Sequence, residues 1–446
     1  MEKTHEIIPS AKRLIKSLRD IGYDFPMAVA DLIDNSIEAG ASRVDIIIGF
    51  YGNDSYLRIF DNGGGMDEEE LKEAMRYGSE RDYSEEDLGK FGLGLKTASM
   101  SQCQRFSVAS RTNSTNSSEI PIFCWDLSHI EKTNKWEILD LKKDGGVEFI
   151  KAPLDKHTGT VVLWERLDRI INFKNPEGNA ARKKLISMCR ELEIYLGMVF
   201  HKFLSNEIQG KELEIYINNN KIKPWDPFAR NEPKTNILSP IKIKLVRENF
   251  EGKIILQPYI LPSKEEFSSL KEFENLSGPA KWNQQQGFYI YRANRMIQSG
   301  GWCGLRTQDE HTKLCRIELN FPPSFDNDFK INVAKMRVQL PSQLREEIER
   351  VTKPAVSLAR ECYKSEKGSK LPEQINQREF TKSSSTITLI DSKKPTQNNF
   401  KKSSSSLFSF DEIEQKAKEF ASKYEGKIIS DVFLRLRKKL FGGQNE

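Results

Sequence analysis

Three consecutive glycines, Gly63 to Gly65, follow directly on the strand-like "YLRIFD" and precede the acid-rich "DEEELKEAM". Glycine costs backbone entropy in a strand, so such a run answers to a close approach or a special dihedral. Taken alone, Asn62-Gly63 also closes a hairpin turn. The choice between a turn and a ligand-facing loop depends on what the rest of the chain places beside it.

Upstream, "PSAKRLIKSLRDIG" reads as a helix over 9–22, with Leu14, Ile15 and Leu18 on one face. "FPMAVADLIDNSIEAGAS" reads as a second helix, with Pro26 in its first turn and Gly40 at its end. Strands are expected at "RVDIIIGF" and "YLRIF", and a helix at "DEEELKEAMRYG", whose leading acids suit a helix amino end. After the glycine-rich "LGKFGLGL", a helix opens at "KTASMSQC". Strands follow at "RFSVASR", "IPIFCWDL", "WEILDL", "GVEFIK" and "GTVVLWERL". A helical stretch over about 177–205 leads to a second strand-rich region, with "ELEIYINNN", "IKIKLV", "KIILQPYIL", "GFYIYRANRMI" and "RIELNFP", closed by a helix near 342–363. The aromatics of "GFYIYRANRMI" are expected in a core rather than as a stacking platform.

The chain of 446 residues accommodates two or three domains. The expected division is 1–175, a helical connector 176–208, a second domain 209–363, a flexible linker 364–406 and an amphipathic helix 407–446. Ile429, Val432, Phe433, Leu436 and Leu440 share a face of that last helix, which suits docking on a partner or packing back on the body. From Lys364 onward there are 17 Lys/Arg against 11 Asp/Glu, so the basic excess lies in the tail and the other 363 residues carry a net −1. That charge suits an acidic or nucleic-acid partner, or simple solvation. No apolar run approaches the roughly 20 residues that span a bilayer. The amino-terminal "MEKTHEIIPSAKRL" lacks an apolar signal core, and six scattered cysteines form no CxxC pair. A cytoplasmic protein with free thiols and no membrane association is expected.

Three stretches carry candidate chemistry. In "ADLIDNSIEAG", Asp31 and Asn35 lie four apart and share a helix face. A carboxylate and an amide there can hold a water and a divalent cation, magnesium preferring hard oxygen ligands; an ordinary polar helix face is the alternative. In "DNGGGM", Asp61 stands at a strand end, where a buried carboxylate can accept from an exocyclic amine such as adenine N6. In "LGKFGLGLKTAS", Gly89, Gly92 and Gly94 precede a helix, an arrangement whose amides bind phosphate oxygens, with Lys90 and Lys96 adding charge. The spacing is not that of a Walker A loop.

In this order, "DLIDN", "DNGGGM", "GKFGLGLKTAS" and "GTVVLWERL" resemble the motifs of the GHKL, or Bergerat-fold, ATPases, which include gyrase, the ATP-driven heat-shock chaperone, histidine kinases and MutL. The wording is most similar to the microrchidia (MORC)-like branch and its bacterial relatives. The resemblance runs strongly over 9 to about 168 and more weakly to about 345. It implies an α+β chain: a Bergerat-fold α/β sandwich ATPase domain, a transducer-type α/β domain and a C-terminal helical tail. It implies ATP and Mg2+ as ligands, with Asp31 as general base, Asn35 as magnesium ligand and Asp61 as the acid that reads adenine. Gly63, Gly65 and Met66 would lie beside the base. Gly89, Lys90, Phe91, Gly92, Leu93, Gly94, Leu95, Lys96 and Thr97 would form the lid hinge and phosphate loop, and Thr160 would approach the nucleotide. "FKINVAKMRVQLP" resembles the MutL segment whose lysine reaches the γ-phosphate, which places Lys335 there; a surface lysine is the alternative. Much of the family has glutamate where this chain has Asp31, so slow hydrolysis is expected. Asp34, about 100° round the helix from Asn35, is a poorer candidate base. The functions so implied are an ATP-gated dimerising switch, with possible DNA or effector partners through the tail and a role in genome defence or maintenance. A nucleotide-sensing scaffold with negligible hydrolysis and a histidine-kinase-type phosphotransferase are the alternatives.

Overall fold

A computed structural model describes residues 5, 8–20, 22–78, 94–115, 119–142, 147–247, 250–331, 338–365 and 384–388. The helices are α1 (Ala11–Arg19), α2 (Phe25–Glu38), α3 (Glu68–Met75), α4 (Gly94–Gln102), α5 (Leu127–Thr133), α6 (Glu148–Lys151), α7 (Asn179–Val199), α8 (His201–Leu204), α9 (Leu270–Leu276), α10 (Lys281–Gln284) and α11 (Ser342–Ser365). The strands are β1 (Arg43–Gly49), β2 (Tyr56–Asp61), β3 (Arg105–Arg111), β4 (Ile122–Asp126), β5 (Leu139–Asp140), β6 (Gly159–Glu165), β7 (Glu214–Ile217) and β8 (Asn220–Lys221). They continue as β9 (Asn236–Ile237), β10 (Ile241–Arg247), β11 (Phe250–Ile260), β12 (Gly287–Arg292), β13 (Arg295–Ser299), β14 (Cys315–Phe321) and β15 (Ser384–Thr388). The fold is mixed α+β.

The first sheet runs β5-β4-β3-β6-β2-β1-β7-β8. Its strands alternate as a two-sided sheet requires. Val44, Ile46 and Ile48 of β1, Leu57 and Ile59 of β2, Phe106 and Val108 of β3, and Val162 and Trp164 of β6 share one core with α1, α2, α4 and α7. The opposite face sends Ala109, Ile122, Cys124, Val161 and Leu163 into a smaller core with Val147, Ile150 and Leu154. Those last three residues correct the sequence reading of "GVEFIK" as a strand. Their i, i+3, i+7 spacing is helical, and the segment forms α6 against the sheet.

A second difference concerns "ELEIYINNN", grouped by sequence with the second domain. β7 instead pairs in parallel with β1, Arg43 opposite Glu214 and Ile46 opposite Ile217. Leu213, Ile215, Ile217 and Ile222 enter the first core. The first sheet therefore takes its last two strands from beyond α7. Adjacency in sequence cannot reveal this, because a parallel partner is always brought in by a crossover.

The second sheet runs β13-β12-β14-β11-β10-β15, with β9 paired to β11. α11 covers it, inserting Leu344, Ile348, Val351, Ala355 and Ala359 among Ile243, Leu256, Ile317 and Leu319. Phe288, Tyr289 and Tyr291 are fully buried, as expected for core aromatics. Within 364–406, expected as linker, β15 pairs in parallel with β10 from Lys242 opposite Ser384 to Val246 opposite Thr388. The helix expected over 407–446 lies outside the described residues.

The β7 pairing predicts that Ile215→Ala, at a fully buried position of the first core, lowers stability by about 2–5 kcal/mol. A denaturant midpoint that stays within error of the parent would contradict that assignment.

Candidate functional site

The period of two that builds the first core also builds a polar floor. In β2, Asp61 continues the face of Leu57 and Ile59; in β3, Ser110 continues that of Phe106 and Val108; in β6, Thr160 continues that of Val162 and Trp164. The register sets Asp61 opposite Thr160 and Thr160 opposite Ser110. Three neighbouring strands thus end in polar residues on the helix-facing side. The Ser110 and Thr160 hydroxyls lie 2.9 Å apart, and Ser110 also donates to the Gly159 carbonyl and accepts from the Met66 amide at 2.8 Å. Met66 is thereby tied down at the end of the glycine run.

Asp61 is buried. Its carboxylate accepts from the Gly63 amide at 3.0 Å and from the Ser36 hydroxyl of α2 at 3.1 Å. Burial pushes its pKa up to about 6, against the opposing pull of those hydrogen bonds. Desolvation outweighs these donors and the Thr160 backbone amide together, as expected for a carboxylate removed from water.

The glycines answer to sterics. Gly65 has φ +71°, and a Cβ on it would lie 2.0 Å from the Arg111 carbonyl oxygen. A Cβ on Gly63 would stand 2.9 Å from both Cβ and carbonyl oxygen of Ala39, beyond the end of α2. Gly64 donates to that same Ala39 carbonyl at 2.9 Å. The run is a close approach of backbone to backbone, locking β2 against the end of α2.

α2 is buried on nearly every side, yet carries Asp31, Asp34 and Ser36 inside and Asn35 outside. Asp31 accepts a 2.8 Å hydrogen bond from the Tyr23 hydroxyl, and Thr97 of α4 bonds the same phenol. Burial and the neighbouring Asp31 carboxylate raise the pKa of Tyr23, so it stays a donor. At the amino end of α4, a Cβ on Gly94 would come within 3.3 Å of the Asp31 carboxylate. The first and third motifs therefore meet at this point. Asp34 is paired elsewhere, with Arg295 Nε at 2.8 Å, and both groups are buried.

Lys96 is expected from sequence to add charge for phosphate. It is buried, and its Nζ donates to the Ala74 carbonyl of α3 at 3.0 Å. Burial lowers its pKa to about 8. Leu95 packs against the first core. Gly89, Lys90, Phe91, Gly92, Leu93 and Lys335 lie outside the described residues. The sequence reading missed Ser36, Ser110 and Tyr23. The alternation in "RFSVASR" could have found Ser110, whereas Tyr23 and Ser36 depend on helix packing.

A separate cavity of about 690 Å³ lies at the amino end of α2, lined among others by Arg19, Tyr23, Gln102, Lys184 and Tyr195. It meets the cluster just described only at Tyr23.

Residues 23–157 match the family described as Histidine kinase-, DNA gyrase B-, and HSP90-like ATPase. That segment, under a third of the chain, matches the GHKL ATPases and includes α2. Its similarity extends to DNA mismatch repair protein MutL. The chain is 40% identical over 89 residues to MutL of Shewanella oneidensis, 19% of this chain and 14% of that protein. It is 35% identical over 107 residues to MutL of Rhizobium leguminosarum bv. trifolii, 23% of this chain and 18% of that protein. The matched stretch spans less than a fifth of either relative. No described helix is long and apolar enough to cross a membrane.

The raised pKa of Asp61 has a definite sign. Its folded pKa lies above the ordinary 3.8, so the fold prefers the protonated form and loses stability as pH rises from about 4 to about 6. Asp61→Asn keeps the shape and removes the titration. Its stability relative to the parent should climb across that range by roughly 2–3 kcal/mol. A pH-independent difference in melting temperature would refute the assignment.

Proposed function

We propose that the chain is a magnesium-dependent ATP-binding protein with slow ATPase activity, acting as an ATP-gated dimerising switch of the MORC and MutL type. The observation that carries the proposal is the convergence on α2: Asp31 against the amino end of α4, Ser36 on Asp61, and Asn35 exposed between them. A carboxylate at the end of three strands suits the amine edge of adenine, and a helix amino end entered through Gly94 suits phosphate oxygens.

Asn35 offers a hard oxygen on the exposed side of the same helix. Among the described residues no group of three His, Cys, Asp or Glu could hold a metal. Asn35 with water and phosphate oxygens would hold magnesium, an ion that keeps several waters and takes substrate phosphate oxygens, and it would supply charge neutralisation for the phosphates. Asp31 would accept the proton of the attacking water. Tyr23 fixes that carboxylate, and aspartate is one methylene shorter than glutamate, so the water must come closer to the helix. This supports slow turnover. The second domain would act as the transducer, with Lys335 as its contact to the γ-phosphate and two copies associating when ATP is bound. The basic tail would serve a DNA or effector-protein partner, and a part in genome defence or maintenance would follow from the MORC and MutL likeness.

Asp31→Ala should retain ATP binding by calorimetry and lose hydrolysis by about 10²–10⁴-fold. Parent-like hydrolysis in that variant excludes Asp31 as base; no measurable hydrolysis in the parent, with binding intact, favours a nucleotide-sensing scaffold. Incubation with γ-labelled ATP should yield free phosphate, and label on protein would instead support the phosphotransferase reading. Sizing with ATP, ADP and a non-hydrolysable analogue should give a larger species with the triphosphates. Equal mass in all three would count against the switch. Retention on DNA should fall steeply with salt and be lost on removing residues 364–446.

A further inference from the structure

The hairpin of β12 and β13, at one edge of the second sheet, reaches α2. Its turn is Ala293-Asn294, with φ +46° and +67°, a left-handed pair that matches the twist of a two-residue hairpin. Ala293, a residue type that rarely adopts this conformation, packs against the core of the first domain. The next residue, Arg295, opens the edge strand of the second sheet and places Nε 2.8 Å from Oδ1 of Asp34.

Neither group is solvated: Arg295 is 1% exposed and Asp34 0%. The guanidinium carbon stands 5.8 Å from the centre of the Phe200 ring. The titratable groups that feel the Arg295 charge are Asp34, Tyr195 of α7, Asp31 and Tyr23. A buried pair of this kind contributes little net stability compared with apolar replacements, but removing one member leaves a charge stranded. Its use is therefore better sought in what it positions. Asp34 stands three residues after Asp31 and immediately before Asn35 on α2. Whatever holds Asp34 fixes both the rotation and the height of the two residues proposed for catalysis.

We infer that Arg295 is a positioning residue, through which the second domain sets where α2 presents Asp31 and Asn35. The inference rests on the ATPase reading above and goes beyond it. The planar guanidinium, which meets Asp34 through Nε, matters here, since lysine offers a point charge that cannot hold the same orientation. The coupling is reciprocal: nucleotide that settles α2 also settles the hairpin.

The test uses the full chain carrying Arg295→Lys, and a second form carrying Asp34→Asn with Arg295→Met, which removes both charges at similar volume. Steady-state ATP hydrolysis is measured beside calorimetric binding of a non-hydrolysable ATP analogue, and hydrogen exchange over 287–299 is followed with and without that analogue. In both forms, analogue affinity and KM should stay within about threefold of the parent while kcat falls about tenfold or more. Analogue-dependent protection of 287–299 should appear in the parent and vanish in both. Parent-like kcat in either folded form overturns the inference, as does protection that persists. If neither form folds, the pair is a requirement of the fold and the inference is likewise overturned. A parent chain that binds no analogue defeats the ATPase reading itself, an outcome distinct from an active parent with indifferent variants.

Discussion

A helix buried on almost all sides that nevertheless carries two carboxylates and a serine inside is the constraint on which this structure turns. Buried polar groups are costly unless satisfied. α2 meets that demand from different directions: Tyr23 from the preceding loop on Asp31, Arg295 from the second domain on Asp34, and Ser36 outward onto Asp61 of β2. Each contact satisfies a polar atom and also pins the helix. Asn35 is the polar residue of this group left facing solvent. Pinning by several elements is a stronger restraint than one face of apolar packing, because sliding the helix by one residue would break every contact at once.

The strand ends opposite α2 obey a related rule. Asp61, Ser110 and Thr160 occupy positions that the alternation assigns to the core, but at the rim of the sheet, where apolar neighbours thin out. Asp61 shows the cost in its raised pKa, with burial outweighing the Gly63 and Ser36 hydrogen bonds. Gly65 and Gly159 allow the backbones to close over this floor. A Cβ on Gly159 would lie 1.8 Å from the Asp61 carbonyl oxygen, and its φ is +136°. Such close approach holds the carboxylate in place without a side chain filling the space beside it.

The second domain is tied to the helices by polar contacts as well as by packing. Lys202 of α8 pairs with Glu318 of β14 at 2.6 Å, and His201 bonds the Tyr291 hydroxyl at 2.7 Å. Burial lowers the pKa of His201 to about 4, so the imidazole is neutral near pH 7. Arg230 adds paired contacts to Glu207 and Asp226. Directional contacts of this kind favour one relative placement of connector and sheet, which suits a domain whose hairpin must meet α2.

The sequence by itself determined the elements with strong local signals. The helix that begins near Pro26, the strands "RVDIIIGF" and "RFSVASR", and the order of three motifs that places an acid, an amide and a glycine-led helix in one domain could all be read from period and spacing. Those signals are local, since each depends on residues within a turn or a pleat of one another. Tertiary structure decided the rest. It made "GVEFIK" a helix, because its apolar spacing is met by the back of the sheet. It gave β7 to the first sheet, because a parallel partner arrives from far along the chain. It turned Lys96 onto α3, joined Ser36 to Asp61 and set Arg295 on Asp34. These are contacts between distant residues, and they are chosen by which buried polar atoms find one another once the apolar faces have closed.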